Sequence, residues 1–175
     1  MTPTSQPGLV GLKGALRYVR AYRDKTFVVK LGGDVLADAR ALDNVATQIA
    51  LLTSLGIRIV VVHGGGPQAS ALMRRLGQEP QIVAGRRVTD AATLEAAVMV
   101  FAGQLSTLVC SALRHHGVAA VGLSGVDAEL LTAVRRPPMQ VRHDDGQTSA
   151  VDFGYVGEIT AVDPRLLTHL LEARF

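Results

Sequence analysis

Apolar residues recur along the chain in two alternating rhythms. Leu12, Leu16, Val19 and Tyr22 are spaced 4-3-3 and share one helical face, with Lys13, Arg17, Arg20 and Arg23 on the other. This predicts a short amphipathic helix, seated on its own domain or on a partner subunit. Residues 1–9 before it are rich in Pro, Ser and Thr and are expected to be loose. Thr26-Phe27-Val28-Val29-Lys30-Leu31 then forms an apolar run ending at Gly32-Gly33, which reads as a buried strand entering a glycine loop. Leu42, Val45, Ile49, Leu52 and Leu55 fall at 3-4-3-3 spacing and predict a helix over 39–55, ended by Gly56. Residues 57–62 are nearly all β-branched, with Arg58 as the polar exception. Continuous apolarity of this kind marks a strand covered on both sides, as in a parallel sheet. It meets His63-Gly64-Gly65-Gly66-Pro67, after which Ala69, Leu72, Met73 and Leu76 open another helix.

Strand, helix, strand, helix is the βαβ rhythm, and it continues. Asp90 is placed to cap a helix with apolar positions Leu94, Val98, Phe101, Leu105, Leu108 and Ala112, ended by Gly117. Residues 118–123 predict the next strand, running into Ser124-Gly125, and residues 130–134 another. Residues 141–153 predict a hairpin around Asp144-Asp145-Gly146, because Asp-Gly suits tight hairpin turns. Asp163-Pro164 reads as an N-cap and a first-turn proline opening a helix with Leu166, Leu167, Leu170 and Leu171 inside. The expected fold is α/β: a three-layer αβα sandwich with a mainly parallel central sheet, plus a β-hairpin excursion. The rhythm breaks off at Phe175, where another strand is due, so the sequence reads as the N-terminal portion of something longer.

Composition narrows the class. With 175 residues the chain matches one domain of roughly 150 residues, large enough to build a core without disulfides or metal. Aromatic residues make up 4% and Trp is absent, so the core must be aliphatic. Cys110 is the only cysteine, which excludes an internal disulfide and a cysteine zinc site. The five histidines show no ligand spacing, so no metal site is expected. The net charge of +3 comes from scattered cations with little aromatic interleaving, which argues against nucleic acid. No apolar run is expected to reach the roughly 18 residues of a membrane span, and no secretory signal opens the chain, so the cytoplasm is expected.

The chemistry collects at strand ends, where open α/β sheets hold ligands. Lys30 with Gly32 and Gly33, His63 through Gly66, and Ser124 with Gly125 all fall there. Three successive glycines before a proline-opened helix form a nest of N–H groups for an anion. Neither loop has Walker A or dinucleotide spacing. Lys30, at the end of an apolar strand, needs solvent or an anion, and a transferring phosphoryl group fits. Arg86 and Arg87 are both candidates to grip a substrate carboxylate through paired hydrogen bonds. Asp90 reads as a helix cap, His63 as a loop histidine bonding a neighbouring turn, Asp127 as a residue orienting a backbone turn, and Cys110 as a small core filler.

Taken in order, Lys30-Leu31-Gly32-Gly33, His63-Gly64-Gly65-Gly66-Pro67, Gly85-Arg86-Arg87-Val88-Thr89-Asp90 and Val121-Gly122-Leu123-Ser124-Gly125-Val126-Asp127 resemble the N-terminal half of acetylglutamate kinases, in the amino acid kinase superfamily. The resemblance covers residues 10–175. It implies ATP-dependent phosphorylation of the γ-carboxylate of N-acetyl-L-glutamate to an acyl phosphate in arginine biosynthesis, with Mg2+ bound through ATP. It implies that Lys30 and the Gly33 backbone stabilise the phosphoryl group, with Gly32 beside them on the nucleotide side. Gly65 and Gly66 N–H groups would hold the reacting carboxylate and phosphate, and Arg87 the substrate's α-carboxylate. Residues 1–25 would be a loose N-terminus and amphipathic helix. Residues 26–175 would be the acetylglutamate-binding lobe, with the ATP-binding lobe absent and this portion alone inactive. A homodimer, or a hexamer built through the N-terminal helix, and feedback by arginine are further implications. Ser106 stands where family members commonly carry Asn, and Ala128 where a glycine is usual. The same chain also resembles the kinase-like domain of N-acetylglutamate synthases, in which the lysine and the His-Gly-Gly-Gly loop are altered. An aminoadipate-derivative kinase of lysine biosynthesis and a non-catalytic ligand-binding module with this fold stay open beside it.

Overall fold

β1 (Thr26–Leu31) and β2 (Arg58–His63) lie side by side and parallel, in register from Thr26 opposite Arg58 to Leu31 opposite His63. The computed structural model describes the backbone of residues 7–142 and 146–175, and side chains from residue 14 on, Ala15 excepted. Between the two strands run α2 (Gly33–Ala37) and α3 (Ala39–Ser54). Asp38 starts α3 by accepting the Arg40 N–H at 2.8 Å and the Ala41 N–H at 3.3 Å. Gly56 ends it at φ +83°, a left-handed turn that lets the Ile57 N–H reach back to the Leu52 carbonyl at 3.2 Å. The chain is thereby reversed into β2 within a few residues of the helix end.

Side chains on one face of this pair form the core. Leu31, Val29, Ile59 and Val61 meet Leu42, Ala46 and Ile49 of α3 and Ala69 of α4 (Gly66–Arg75). Fully burying a side chain such as Leu31, Leu42 or Ile49 contributes about 1.5–3 kcal/mol. The opposite face is open: Val28 is 70% and Val62 48% exposed. The strands are apolar on both faces, as their sequence suggested, yet covered on one.

The long helix after Asp90 is not the uniform α-helix expected. It runs as α5 (Ala91–Val98), a π-helical stretch Met99–Leu105, and α6 (Ser106–His115). The π turn inserts an extra residue and rotates everything beyond it. The buried positions become Thr93, Ala96, Val100, Leu105, Val109 and Leu113, while Val98, Phe101 and Leu108 of the expected stripe are partly exposed. The segment Ala91–His115 is also long and apolar enough to cross a membrane by length and composition, with a mean hydropathy of 1.8, which corrects the expectation that no such run exists. Its apolarity serves two faces. One enters the core, and the other lines a cavity of about 1340 Å³ beside β2.

Three small antiparallel pairs follow among the described residues. β3 (Ile82–Val83) and β4 (Arg86–Arg87) form a tight hairpin across Ala84 and Gly85. β6 (Met139–Arg142) pairs with β7 (Thr148–Val151), the hairpin expected over 141–153, although Asp144 and Asp145 of its turn lie outside the described residues. β5 (Leu131–Arg135) pairs with β8 (Gly157–Val162), a strand with no periodicity strong enough to announce it. Residues 118–123 correct a second expectation. They form no strand and pair with no other strand among the described residues. Among the described residues the sheets are therefore small, one parallel pair and three antiparallel pairs.

The ends differ from expectation as well. α1 (Pro7–Tyr22) begins inside the stretch read as loose. The side chains of Leu12 and Lys13 lie outside the described residues. Tyr22 packs edge-on against Phe27 at 5.5 Å, while Leu16 stays exposed. α7 (Arg165–Glu172) starts one residue later than expected. Asp163 accepts the Arg165 N–H at 3.0 Å and also grips its guanidinium, which holds the Asp163 carboxyl down at about 2.

Candidate functional site

β1 and β2 end at the same edge of their pair. Lys30 lies opposite Val62 and Leu31 opposite His63, and the Gly64 N–H donates to the Leu31 carbonyl at 3.0 Å. The two glycine loops therefore leave the sheet as neighbours, and they touch. A Cβ on Gly33 would lie 3.2 Å from Pro67 Cδ and 3.0 Å from Gln68 Oε1. Gln68 Nε2 donates to the Gly33 carbonyl at 2.7 Å, so a side chain from the second loop fixes the first. Its Oε1 is sheltered from water and has no partner among the described residues. Sequence reasoning passed over Gln68. The available signal was an amide side chain on the first turn of a helix, directly after the glycines.

Gly65 sits beneath the π-helical stretch. A Cβ there would collide with Leu105 Cδ1 and lie 2.8 Å from the Phe101 ring, so a helix pressed onto the backbone demands glycine at this position. α4 begins at Gly66 with Pro67 next. Helix starts leave their first N–H groups unused. Neither the Gly65 nor the Gly66 N–H has an acceptor among the described residues. These donors, at the positive end of a ten-residue helix, suit an anion.

Arg87 reaches this loop from the β3–β4 hairpin. Its Nη2 donates to the Gly66 carbonyl at 2.7 Å and to Ser70 Oγ, while Nε, shielded from water, has no acceptor among the described residues. Arg86, on the alternate face of the same short strand, points instead to Met139 Sδ at 3.9 Å. The hairpin is anchored by Thr89, whose N–H donates to Phe153 O at 2.9 Å and whose carbonyl accepts the Tyr155 N–H at 2.7 Å. Asp90 caps α5 through the Thr93 N–H at 2.8 Å, and that bond lowers its carboxyl pKa.

Lys30 is exposed at the end of β1 and makes no hydrogen bond or ion pair among the described residues. His63 Nδ1 lies 3.2 Å from the Gly64 carbonyl. Asp127 accepts the Ser124 N–H at 2.5 Å and the Ser124 hydroxyl at 2.8 Å, which pulls its pKa down and fixes that turn. Ser106 packs its hydroxyl against Gly122, where a Cβ would collide with it. Ala128 adopts φ +49°, the left-handed region that favours glycine. Cys110 lines the large cavity. His116 lies 2.7 Å from Asp43 and ties α6 to α3. Among the described residues no three of His, Cys, Asp and Glu converge as metal ligands. The arrangement can thus present free N–H donors, a guanidinium and an ammonium near one edge of the parallel pair, the components needed to hold two anions together.

Comparison with known proteins places this geometry among relatives. The amino acid kinase family matches residues 25–175. The acetylglutamate kinase of Myxococcus xanthus is 49% identical over 175 residues, covering 99% of this chain and 56% of that protein. That of Desulfitobacterium hafniense is 46% identical over 158 residues, covering 90% of this chain and 53% of its own. The chain thus spans about half the length of the curated relatives it matches. Among solved structures, the N-acetylglutamate synthase of Neisseria gonorrhoeae complexed with coenzyme A and N-acetyl-glutamate superposes with a TM-score of 0.68 at 31% identity, over 96% of this chain and 36% of its own. A Streptococcus mutans protein superposes with the same TM-score of 0.68 at 24% identity, over 86% of this chain and 56% of its own, which shows a shared fold.

Proposed function

This chain belongs to the amino acid kinase family, and we propose that it supplies the acetylglutamate-binding lobe of an acetylglutamate kinase, over residues 26–175, with α1 ahead of it. The reaction would join a γ-carboxylate oxygen of N-acetyl-L-glutamate to the γ-phosphorus of ATP while the bond from that phosphorus to the bridging oxygen of ADP breaks. No proton needs to move and no covalent enzyme intermediate is required. The work left to the protein is to bring two anions together and to spread the charge of the transferring group.

The observation that carries the reading is the joining of three separated motifs in one place: Gly33 against Pro67 and Gln68, and Arg87 onto Gly66. In this reading Arg87 takes the α-carboxylate, since its buried Nε is a donor without an acceptor. Gly65 and Gly66 direct N–H groups to the reacting carboxylate and the incoming phosphate. Lys30 places its ammonium on the phosphoryl oxygens, aided by the Gly33 backbone, with Gly32 beside it. Mg2+ would be carried by the phosphates of ATP and would neutralise their charge. The finer fold proposed is a single, mainly parallel central sheet between two helical layers, of which β1 and β2 are the part paired here. A homodimer, or a hexamer built through α1, arginine feedback and a cytoplasmic location complete the proposal.

Similarity to the gonococcal synthase favours one second reading, a kinase-like domain attached to acetyl transfer. The intact Lys30 and His63-to-Gly66 loop, and the 49% identity to a kinase, favour the first. A chimera of this chain joined to the remainder of the M. xanthus relative separates them. With ATP, acetylglutamate and hydroxylamine it is expected to yield the hydroxamate of the acyl phosphate, and this chain alone is expected to yield none. A chimera that forms no hydroxamate from acetylglutamate, or that prefers an aminoadipate derivative, would refute the kinase proposed.

A further inference from the structure

The last rung of the parallel ladder, the Gly64 N–H on the Leu31 carbonyl, comes just before both glycine loops. Beyond it, a single hydrogen bond joins residues 32–37 to residues 64–70 among the described residues: Gln68 Nε2 on the Gly33 carbonyl at 2.7 Å. The two sides of this bond are unequally supported. Gln68 stands on α4, where Ala69, Ser70 and Met73 are buried and fix the helix in place. Gly32 and Gly33 lack such a footing. They open a helix of only five residues, Gly32 has no side-chain cap bond, and glycine leaves the backbone its widest freedom. The nearest buried anchor after them is Leu36. The second loop therefore restrains the first, and it does so through one side chain.

That bond is a poor device for stability alone. The other arm of the amide, Oε1, is sheltered from water and has no partner among the described residues. An orphaned acceptor costs about what the Nε2 bond contributes, so the two offset each other. An apolar side chain of equal size would fill the same space without the orphan. What it could not supply is direction. A hydrogen bond fixes the distance and the orientation of the Gly33 peptide, whereas contact with Pro67 fixes only how closely Gly33 can approach. Direction matters between two anion-holding loops. Reacting atoms must stand about 3–3.5 Å apart, and a displacement of about 1 Å costs about 100-fold in rate.

We propose that Gln68 is a positioning residue for the phosphoryl transfer. It touches neither substrate. Through the Gly33 carbonyl it sets the gap between the loop that receives the phosphoryl group and the loop that receives the carboxylate. Arg87 grips the same second loop at the Gly66 carbonyl, so both loops and the β3–β4 hairpin meet at one hub, the first turn of α4. The roles divide there: Arg87 holds a substrate, and Gln68 holds a distance. The inference rests on the kinase reading above.

Two substitutions test it. Gln68→Met keeps the volume and removes both the donor and the orphaned acceptor, and Gln68→Glu keeps the length without a donor at neutral pH. In the chimera with the remainder of the M. xanthus relative, each is expected to lower kcat about 100-fold. The KM values for acetylglutamate and for ATP should stay within about 3-fold of the unsubstituted chimera. In this chain alone, Gln68→Met should leave the denaturant midpoint unchanged and shift the Gly33 and Asp34 amide signals. An unchanged kcat in both variants overturns the inference. So does a raised KM for acetylglutamate at constant kcat, which makes Gln68 a substrate contact, or a lowered midpoint in Gln68→Met, which makes it a structural residue. Unmoved Gly33 and Asp34 signals overturn the clamp itself. A chimera that is inactive before any substitution refutes the kinase reading and, with it, the role in transfer, while the amide shifts in this chain still decide the clamp.

Discussion

Arg87 and Lys30 bring positive charge to one pair of loops by different routes, and their losses should differ. Arg87 is held by the Gly66 carbonyl and Ser70, so its position is set before any ligand arrives. A charge-assisted pair to a carboxylate contributes about 1.5–3 kcal/mol, so Arg87→Ala in the chimera is expected to raise the KM for acetylglutamate about 10- to 150-fold with a smaller fall in kcat. Lys30 has no such anchor. Lys30→Ala is expected to lower kcat about 100- to 1,000-fold and leave the KM for acetylglutamate nearly unchanged. Steady-state kinetics with both substrates varied distinguishes the two, and equal effects on kcat alone would contradict these roles. Residue types and order announced both positions. The proposed choice of Arg87 over Arg86 comes from the family resemblance, and the pleat of β4 turns the two side chains to opposite sides, Arg87 to Gly66 and Arg86 to Met139. Ala128 carries a further prediction. An alanine at φ +49° bears a steric penalty that glycine avoids, so Ala128→Gly is expected to stabilise the chain by about 1 kcal/mol in denaturant unfolding.

At the scale of elements, the glycine loop and the long helix explain each other. The π turn rotates Leu105 onto Gly65, leaving no room for a side chain between them. Gly65→Ala is therefore expected to destabilise the chain by about 1–3 kcal/mol, read as a lower denaturant midpoint at constant slope. Periodicity foresaw the helix and its two ends but not the π turn, because the sequence offers apolar residues on both faces and either stripe satisfies a 3.6-residue repeat. The strand over 118–123 failed for a different reason. An apolar run sets the tendency to extend, and a ladder also needs a neighbour in reach. At the other end, Asp163 holds the first turn of α7 through the Arg165 N–H and guanidinium. Its pKa, lowered to about 2 from the ordinary 3.8, means that the contact adds stability above the ordinary carboxylate range. That contribution is lost as pH falls through about 2. A carboxyl NMR titration should place its midpoint near that value, with the α7 N–H signals moving in the same interval, and high salt should weaken the effect because the Arg165 side chain is exposed and Asp163 is open to solvent in part.

For the molecule as a whole, β1 and β2 leave one face exposed, and β2 and the apolar segment Ala91–His115 both line the large cavity. The α/β rhythm was legible from the strand–helix alternation, while the single broad sheet it suggested was not assembled by these residues alone. The proposed function rests on the His63-to-Gly66 loop, the Gly32-Gly33 loop and Arg87 acting as one anion cradle. Titrating acetylglutamate, then a non-hydrolysable ATP analogue, into the 15N-labelled chimera observes that cradle residue by residue. The expected result is saturable shifts of the Gly65 and Gly66 amides with acetylglutamate, abolished by Arg87→Ala, followed by shifts of Gly32 and Gly33 with the nucleotide. Unmoved glycine amides, with shifts confined to the β6–β7 hairpin around Arg86 and Met139, would contradict it.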